Sequence, residues 1–106
     1  MQNSIDPILR QLKIQLTDLY RDRLDRIYLY GSRARKTADP DSDIDVLVVL
    51  KDQVDTNLER ERTLDIVSQL SLEHDVIISC LFVDAGTYAT YQDPLFRNIR
   101  REGVLI

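Results

Sequence analysis

The sequence predicts an α/β (α+β) domain, a small mixed β-sheet of three to four strands with helices packed on it. Apolar residues recur at helical spacing from Ile5 to Tyr20. The run Ile44-Asp45-Val46-Leu47-Val48-Val49-Leu50 is β-branched and almost wholly apolar, as a strand covered on both faces must be. Helix-like and strand-like stretches then alternate along the chain, the pattern of helices layered on a sheet.

The elements follow in order. Asp6 is placed to cap a first helix and Pro7 suits its first turn, while Ile5, Ile8, Leu9, Leu12, Leu16, Leu19 and Tyr20 form its apolar stripe. Arg21-Asp22-Arg23 breaks that stripe, and Ile27-Tyr28-Leu29-Tyr30 reads as a short strand ending at Gly31. A polar segment from Ser32 to Ser42 follows, with room for one or two helical turns over Ser32 to Lys36 before an Asp39-Pro40-Asp41 turn. After the apolar strand, Thr56 and Glu59 have the spacing of a capping box for a helix whose inner face carries Thr63, Ile66, Val67 and Leu70. A third strand is expected from Val76 to Phe82, and Asp84 can cap a short helix containing Tyr88 and Tyr91. Asp93-Pro94 opens a last helix burying Leu95, Phe96 and Ile99, which Gly103 ends, and Val104-Leu105-Ile106 can add an edge strand.

The 106 residues are expected to form one domain, 1–106, large enough for a modest core. A net charge of −4 disfavours direct nucleic-acid binding, which needs an excess of Lys and Arg. The single cysteine, Cys80, lies in an apolar run and reads as a small buried hydrophobe in a reducing compartment. The N-terminal residues lack a secretory pattern and no apolar run is long enough to span a bilayer, so the expectation is a cytoplasmic protein without membrane attachment.

The stretch Gly31 to Asp45, GSRARKTADPDSDID, carries the chemistry. Gly31-Ser32 stands where a strand hands over to a turn or helix start. Glycine permits close backbone approach there, and a serine hydroxyl with free N–H groups can hold phosphate oxygens, although many Gly-Ser turns bind nothing. Asp43 and Asp45 flank Ile44, and side chains two apart on a strand share a face. Two carboxylates held together beside an apolar core are costly without a cation, and Mg²⁺ suits the need because it combines a few carboxylate oxygens with substrate phosphates. The same aspartates, with Asp39 and Asp41, also read as a solvated turn. Asp75 precedes Val76-Ile77-Ile78 and would bring a third carboxylate if its strand lay beside that of Asp45; otherwise it is a polar residue at a strand start.

Gly31-Ser32, ten residues, then Asp43-Ile44-Asp45 resembles the GS-x10-DxD signature of the DNA polymerase β-type nucleotidyltransferases. Gly31, Ser32, Ala34, Arg35, Ser42, Asp43 and Asp45 match the GSxARG…SDxD form of the minimal nucleotidyltransferase (MNT) family, and the likeness extends through Asp75 to the closing Phe96-Arg97 … Glu102-Gly103-Val104-Leu105. One departure is Lys36, where relatives often carry glycine. The resemblance implies ATP as substrate, a pair of Mg²⁺ ions held by Asp43, Asp45 and Asp75, Asp75 as the group deprotonating the acceptor, and a nucleotide site including Gly31, Ser32, Arg35 and Ser42, with Arg33 or Arg35 facing the phosphates.

Larger relatives grip their acceptors with extra domains, so a chain of this length implies an acceptor that brings its own surface. Stand-alone MNT proteins resemble the antitoxin half of HEPN–MNT toxin–antitoxin pairs. The likeness implies a hetero-oligomer with a HEPN ribonuclease toxin and transfer of AMP to a tyrosine of that toxin. A catalytically silent antitoxin acting by binding, or a small-molecule nucleotidyltransferase working with a second subunit, are the alternatives. Tyr88, Tyr91 and the Arg97/Arg100/Arg101 cluster are candidate partner contacts, and core packing and helix-end charge account for them equally well.

Overall fold

The computed structural model describes residues 5–37 and 41–106. Strands β1 (Leu24–Tyr30), β2 (Ile44–Leu50), β3 (Ile78–Asp84) and β4 (Val104–Leu105) form one sheet in the order β3-β2-β1-β4. β2 runs parallel to β3, while β1 is antiparallel to both β2 and β4, so the sheet is mixed as expected. Helices α1 (Asp6–Tyr20), α2 (Ser32–Arg35), α3 (Thr56–His74), α4 (Ala85–Thr90) and α5 (Pro94–Glu102) complete the domain.

β2 organises the molecule because its alternate side chains serve two separate cores. Ile44, Val46, Val48 and Leu50 face one way and pack with Ile8, Leu9, Leu12, Leu16 and Tyr20 of α1, Leu70 of α3, and Ile78 and Phe82 of β3. Leu47 and Val49 face the other way, against Val83, Tyr88 of α4 and Ile99 of α5. The alternation is that of any strand, here with both faces dry along most of its length.

The helix ends depart from expectation in informative ways. Asp6 is the first helical residue of α1, so it does not cap; it contributes negative charge to the first turn instead. Leu19, expected in the stripe, is 40% exposed, because Leu16 and Tyr20 take the inward positions one turn apart. Arg21–Arg23 form a 3₁₀ turn, and β1 begins at Leu24, three residues before the expected start, because the chain straightens there to pair Leu24 with Leu50.

Asp55, not Thr56, caps α3, accepting a hydrogen bond from the Leu58 N–H at 3.3 Å. Glu59 is thereby released from the expected capping box. It is 1% exposed and accepts a hydrogen bond from the Tyr20 hydroxyl at 2.9 Å, with Arg23 at 3.5 Å and Arg62 at 3.7 Å as cationic partners. Burial, then Glu59 as acceptor and as a negative charge, raises the Tyr20 pKa, so the phenol stays protonated as the donor. The side chain read as a local cap is a long-range tie between α1 and α3.

Asp84 caps α4 as expected, bonding the Thr87 N–H, but the helix ends at Thr90 and leaves Tyr91 outside it; Asp93 caps α5 by bonding the Leu95 N–H, where the Asp93-Pro94 opening is expected. Leu95 stays 38% exposed and Ile99 carries the burial of α5. Gly103 ends α5 with an ordinary φ of −66°; a Cβ there would meet the Ile99 carbonyl oxygen at 2.6 Å, so close approach, not left-handed backbone, calls for glycine. Cys80 is half-buried, and burial pushes its thiol up to about 12, in keeping with an inert hydrophobe. No helix among the described residues is long and apolar enough to cross a membrane.

Candidate active site

The site lies at the entry of β2. Gly31 leaves β1 with φ +75°, a conformation that L side chains rarely adopt. A Cβ on Gly31 would also stand 2.6 Å from Oδ2 of Asp45, so any other residue would strain the turn and push that carboxylate aside. Ser32 then begins α2, whose turns close through Ala34 and Arg35 N–H groups on the Gly31 carbonyl at 3.1 and 3.2 Å. The leading amides of any helix have no acceptor within it, and here they follow the glycine directly.

Lys36 ends α2 with φ +60° and ψ +28°. This is the left-handed conformation that glycine adopts without penalty, so the glycine that the resemblance leads one to expect here would be the less strained residue. The expected Asp39-Pro40-Asp41 turn falls mostly outside the described residues. Beyond it, Arg33 spans from α2 to the Ser42 carbonyl, donating from Nη2 at 2.8 Å and from Nε at 3.3 Å. Arg33 therefore fastens the Gly31-Ser32 turn to the approach of β2. Arg35 turns to Glu102 at the end of α5, 3.7 Å away, with its side chain half exposed. That pair ties the closing Glu102-Gly103 segment to the Gly31-Ser32 turn.

Asp43 is exposed just before β2, and Asp45 is half-buried within it. Burial, and then the negative charge of Asp43, raise the pKa of Asp45 above the ordinary carboxylate value. Among the described residues no Lys or Arg is paired with either carboxylate. An uncompensated, partly desolvated acid pair fits a divalent cation that completes its shell with water and phosphate oxygens.

The structure does not bring Asp75 to this pair. Pairing of β3 with β2 starts at Ile78 opposite Ile44, so the third strand begins two residues later than expected. Asp75 lies before it, as the left-handed residue (φ +52°) that ends α3, with its own N–H and that of Val76 directed to the Ser71 carbonyl. Asp and Asn tolerate this conformation better than most residues, which gives Asp75 a helix-ending role. Among the described residues no group of three His, Cys, Asp or Glu is assembled to hold a metal. The side chains that do flank Asp45 are Tyr30, its antiparallel partner on β1, and Ser79, its parallel partner on β3. Burial and the nearby Asp45 charge raise the Tyr30 pKa and keep its hydroxyl protonated. Neither neighbour stands out in the sequence; strand parity and register reveal them.

Tyr88 proves to be core, edge-on to Phe96 and 5.3 Å from the ring of Tyr28, with Arg100 over its face and bonded to its carbonyl. Arg101 is occupied by Asn98 and Glu102, and Tyr91 remains exposed.

A glycine turn closed on the second acid of a DxD strand, at the mouth of a mixed sheet, defines a nucleotidyltransferase. The chain belongs to the nucleotidyltransferase domain family, whose model matches residues 9–102. It is 38% identical over 72 residues to a Methanocaldococcus jannaschii protein named "putative protein adenylyltransferase", covering 68% of this chain and 72% of that one. Its fold is similar to that of a solved toxin–antitoxin structure with AMP-PNP, at a TM-score of 0.64 and 23% identity over 91% of this chain and 69% of the other. It is similar also to a structure described as tri-AMPylated Shewanella oneidensis HEPN toxin in complex with MNT antitoxin, at a TM-score of 0.55 and 20% identity over 92% of this chain and 69% of the other.

Proposed function

We propose that this nucleotidyltransferase moves AMP from ATP onto a hydroxyl of a partner protein, a tyrosine of a HEPN-type toxin, and so acts as the antitoxin of a cytoplasmic pair. The observation that carries the chemistry is the Asp43/Asp45 pair at the entry of β2, with Asp45 closed on the Gly31 turn and, among the described residues, no cationic side chain paired with either acid. The choice of AMP and of a protein acceptor is supported by the names of the relatives above.

In this reading Asp43 and Asp45 hold Mg²⁺, which would neutralise charge on the triphosphate and acidify the attacking hydroxyl. Gly31 lets the backbone approach the triphosphate, and the Ser32 hydroxyl and amide donate to its oxygens. Arg33, through the Ser42 carbonyl, keeps that turn at a set distance from the carboxylates. Arg35 reaches the phosphates by exchanging Glu102 for them. The acceptor oxygen bonds to the α-phosphorus as the bond to the bridging oxygen breaks, and pyrophosphate leaves. The protein's part is positioning and charge stabilisation.

Incubation with labelled ATP, Mg²⁺ and a candidate HEPN toxin tests this. Label is expected on the toxin with the native chain and on nothing with the Asp43→Ala/Asp45→Ala double variant, whose circular dichroism should be unchanged. Tight toxin binding without label would identify a binding-only antitoxin, and label retained by the double variant would remove the mechanism.

A further inference from the structure

We propose that the third place at this cation site belongs to Ser79, so that two carboxylates and a hydroxyl hold the ion and the nucleotide must supply the rest of its shell. The inference rests on the nucleotidyltransferase reading above and deepens it.

The register carries the argument. β2 and β3 are parallel with Asp45 opposite Ser79, and paired residues on neighbouring strands project from the same face of a sheet. The face is confirmed by packing. Leu47 and Val49, two and four residues beyond Asp45, meet Leu81 and Val83, two and four beyond Ser79, in the core under α4 and α5. Ser79 therefore stands beside Asp45 on the carboxylate side, and it is exposed where Leu81 and Val83 are covered. The residue of β3's approach on that side is Ile77, 64% exposed, and positions 76–79 carry no acid. Asp75 is two further residues back, in the turn that ends α3. A carboxylate on β3 would have to be at position 79, and this chain has a hydroxyl there.

The charge balance follows. Mg²⁺ commonly binds through one or two carboxylates plus substrate phosphates, and two acids without a third leave it poorly held until the triphosphate arrives. The Ser79 hydroxyl is neutral; it offers the ion an oxygen lone pair, directly or through a water of its shell, but adds no charge. Cation and nucleotide are then taken up together, and the free protein holds the ion weakly.

Mn²⁺ binding to the full chain, read by electron paramagnetic resonance with and without a non-hydrolysable ATP analogue, tests this apart from activity. The native chain should bind Mn²⁺ at least about tenfold more tightly with the analogue present. Ser79→Asp should tighten the nucleotide-free binding by about tenfold, because it adds a charged ligand beside Asp45. Ser79→Glu is the second variant should the aspartate fail to fold, judged by thermal unfolding. Ser79→Ala should weaken the nucleotide-dependent binding about tenfold and Ser79→Thr restore it. Asp75→Asn should leave Mn²⁺ binding unchanged. If Asp75→Asn weakens binding as Asp45→Asn does, or if neither acidic variant at 79 changes it, the assignment of Ser79 is overturned. If Asp45→Asn itself has no effect, the cation site as a whole is wrong and the nucleotidyltransferase reading falls with it.

Discussion

The two faces of β2 are made by the same strand to different ends. On one, Ile44, Val46, Val48 and Leu50 are sealed beneath the long helices α1 and α3. On the other, short α4 and α5 cover Leu47 and Val49 but stop before Asp45, whose neighbours are Tyr30, Ser79 and the Gly31 turn. Coverage by two long helices yields stability. Incomplete coverage by two short ones leaves a strand end where charged groups stand open to solvent. The open groove beside Lys13, Ile14 and Ile66 lies on the α1/α3 side and contains none of the site residues.

The contrast predicts where substitutions hurt. Leu12→Ala, in the sealed face, should cost about 3 kcal/mol in urea unfolding, whereas Leu81→Ala, only half-buried beneath the short helices, should cost about 1 kcal/mol. Equal losses would break the distinction. Tyr20→Phe should cost about 2 kcal/mol, because the buried Glu59 carboxylate loses a donor that Arg23 and Arg62 do not replace. Lys36→Gly should stabilise by about 0.5 kcal/mol, the relief of left-handed backbone exceeding the entropy that glycine adds to the unfolded chain.

The smallest effect is expected at Asp45, and its sign is diagnostic. Its folded pKa is raised, so the folded state binds the proton more tightly than the unfolded chain. Stability is then fullest below the unfolded carboxylate value, falls as pH rises through the folded value, and stays lower at neutral pH. Asp45→Asn should raise the Tm of the metal-free protein at pH 7 and leave it unchanged at low pH, while removing activity. A lower Tm at pH 7 would mean that an unrecognised partner stabilises the carboxylate.

The sealed face is legible in the sequence because burial leaves periodic traces: Ile44, Val46, Val48 and Leu50 of β2, and Ile8, Leu9, Leu12, Leu16 and Tyr20 of α1, lie where their spacing places them. Gly31 and Asp45 stand out in the sequence by their separation, and the structure brings the two into close approach. Expectation and structure part where one residue type satisfies two rules. Glu59 has capping-box spacing but is drawn into a buried tie by Tyr20 and Arg23, partners distant in sequence. Asp75 adjoins an apolar run, yet that run enters the sheet only at Ile78, and the aspartate ends a helix. Ser79 and Tyr30 matter through register, which no single strand encodes.

The alternation along β2 also has a consequence for fidelity. Because Asp45 sits between Ile44 and Val46, both fully buried, a slip of one residue against β1 or β3 would turn its carboxylate into the dry layer under α1 and α3 and bring an apolar neighbour to the open strand end in its place. The hydrophobic core thus checks the alignment of the catalytic end: a molecule that has packed its interior has already aimed its carboxylates.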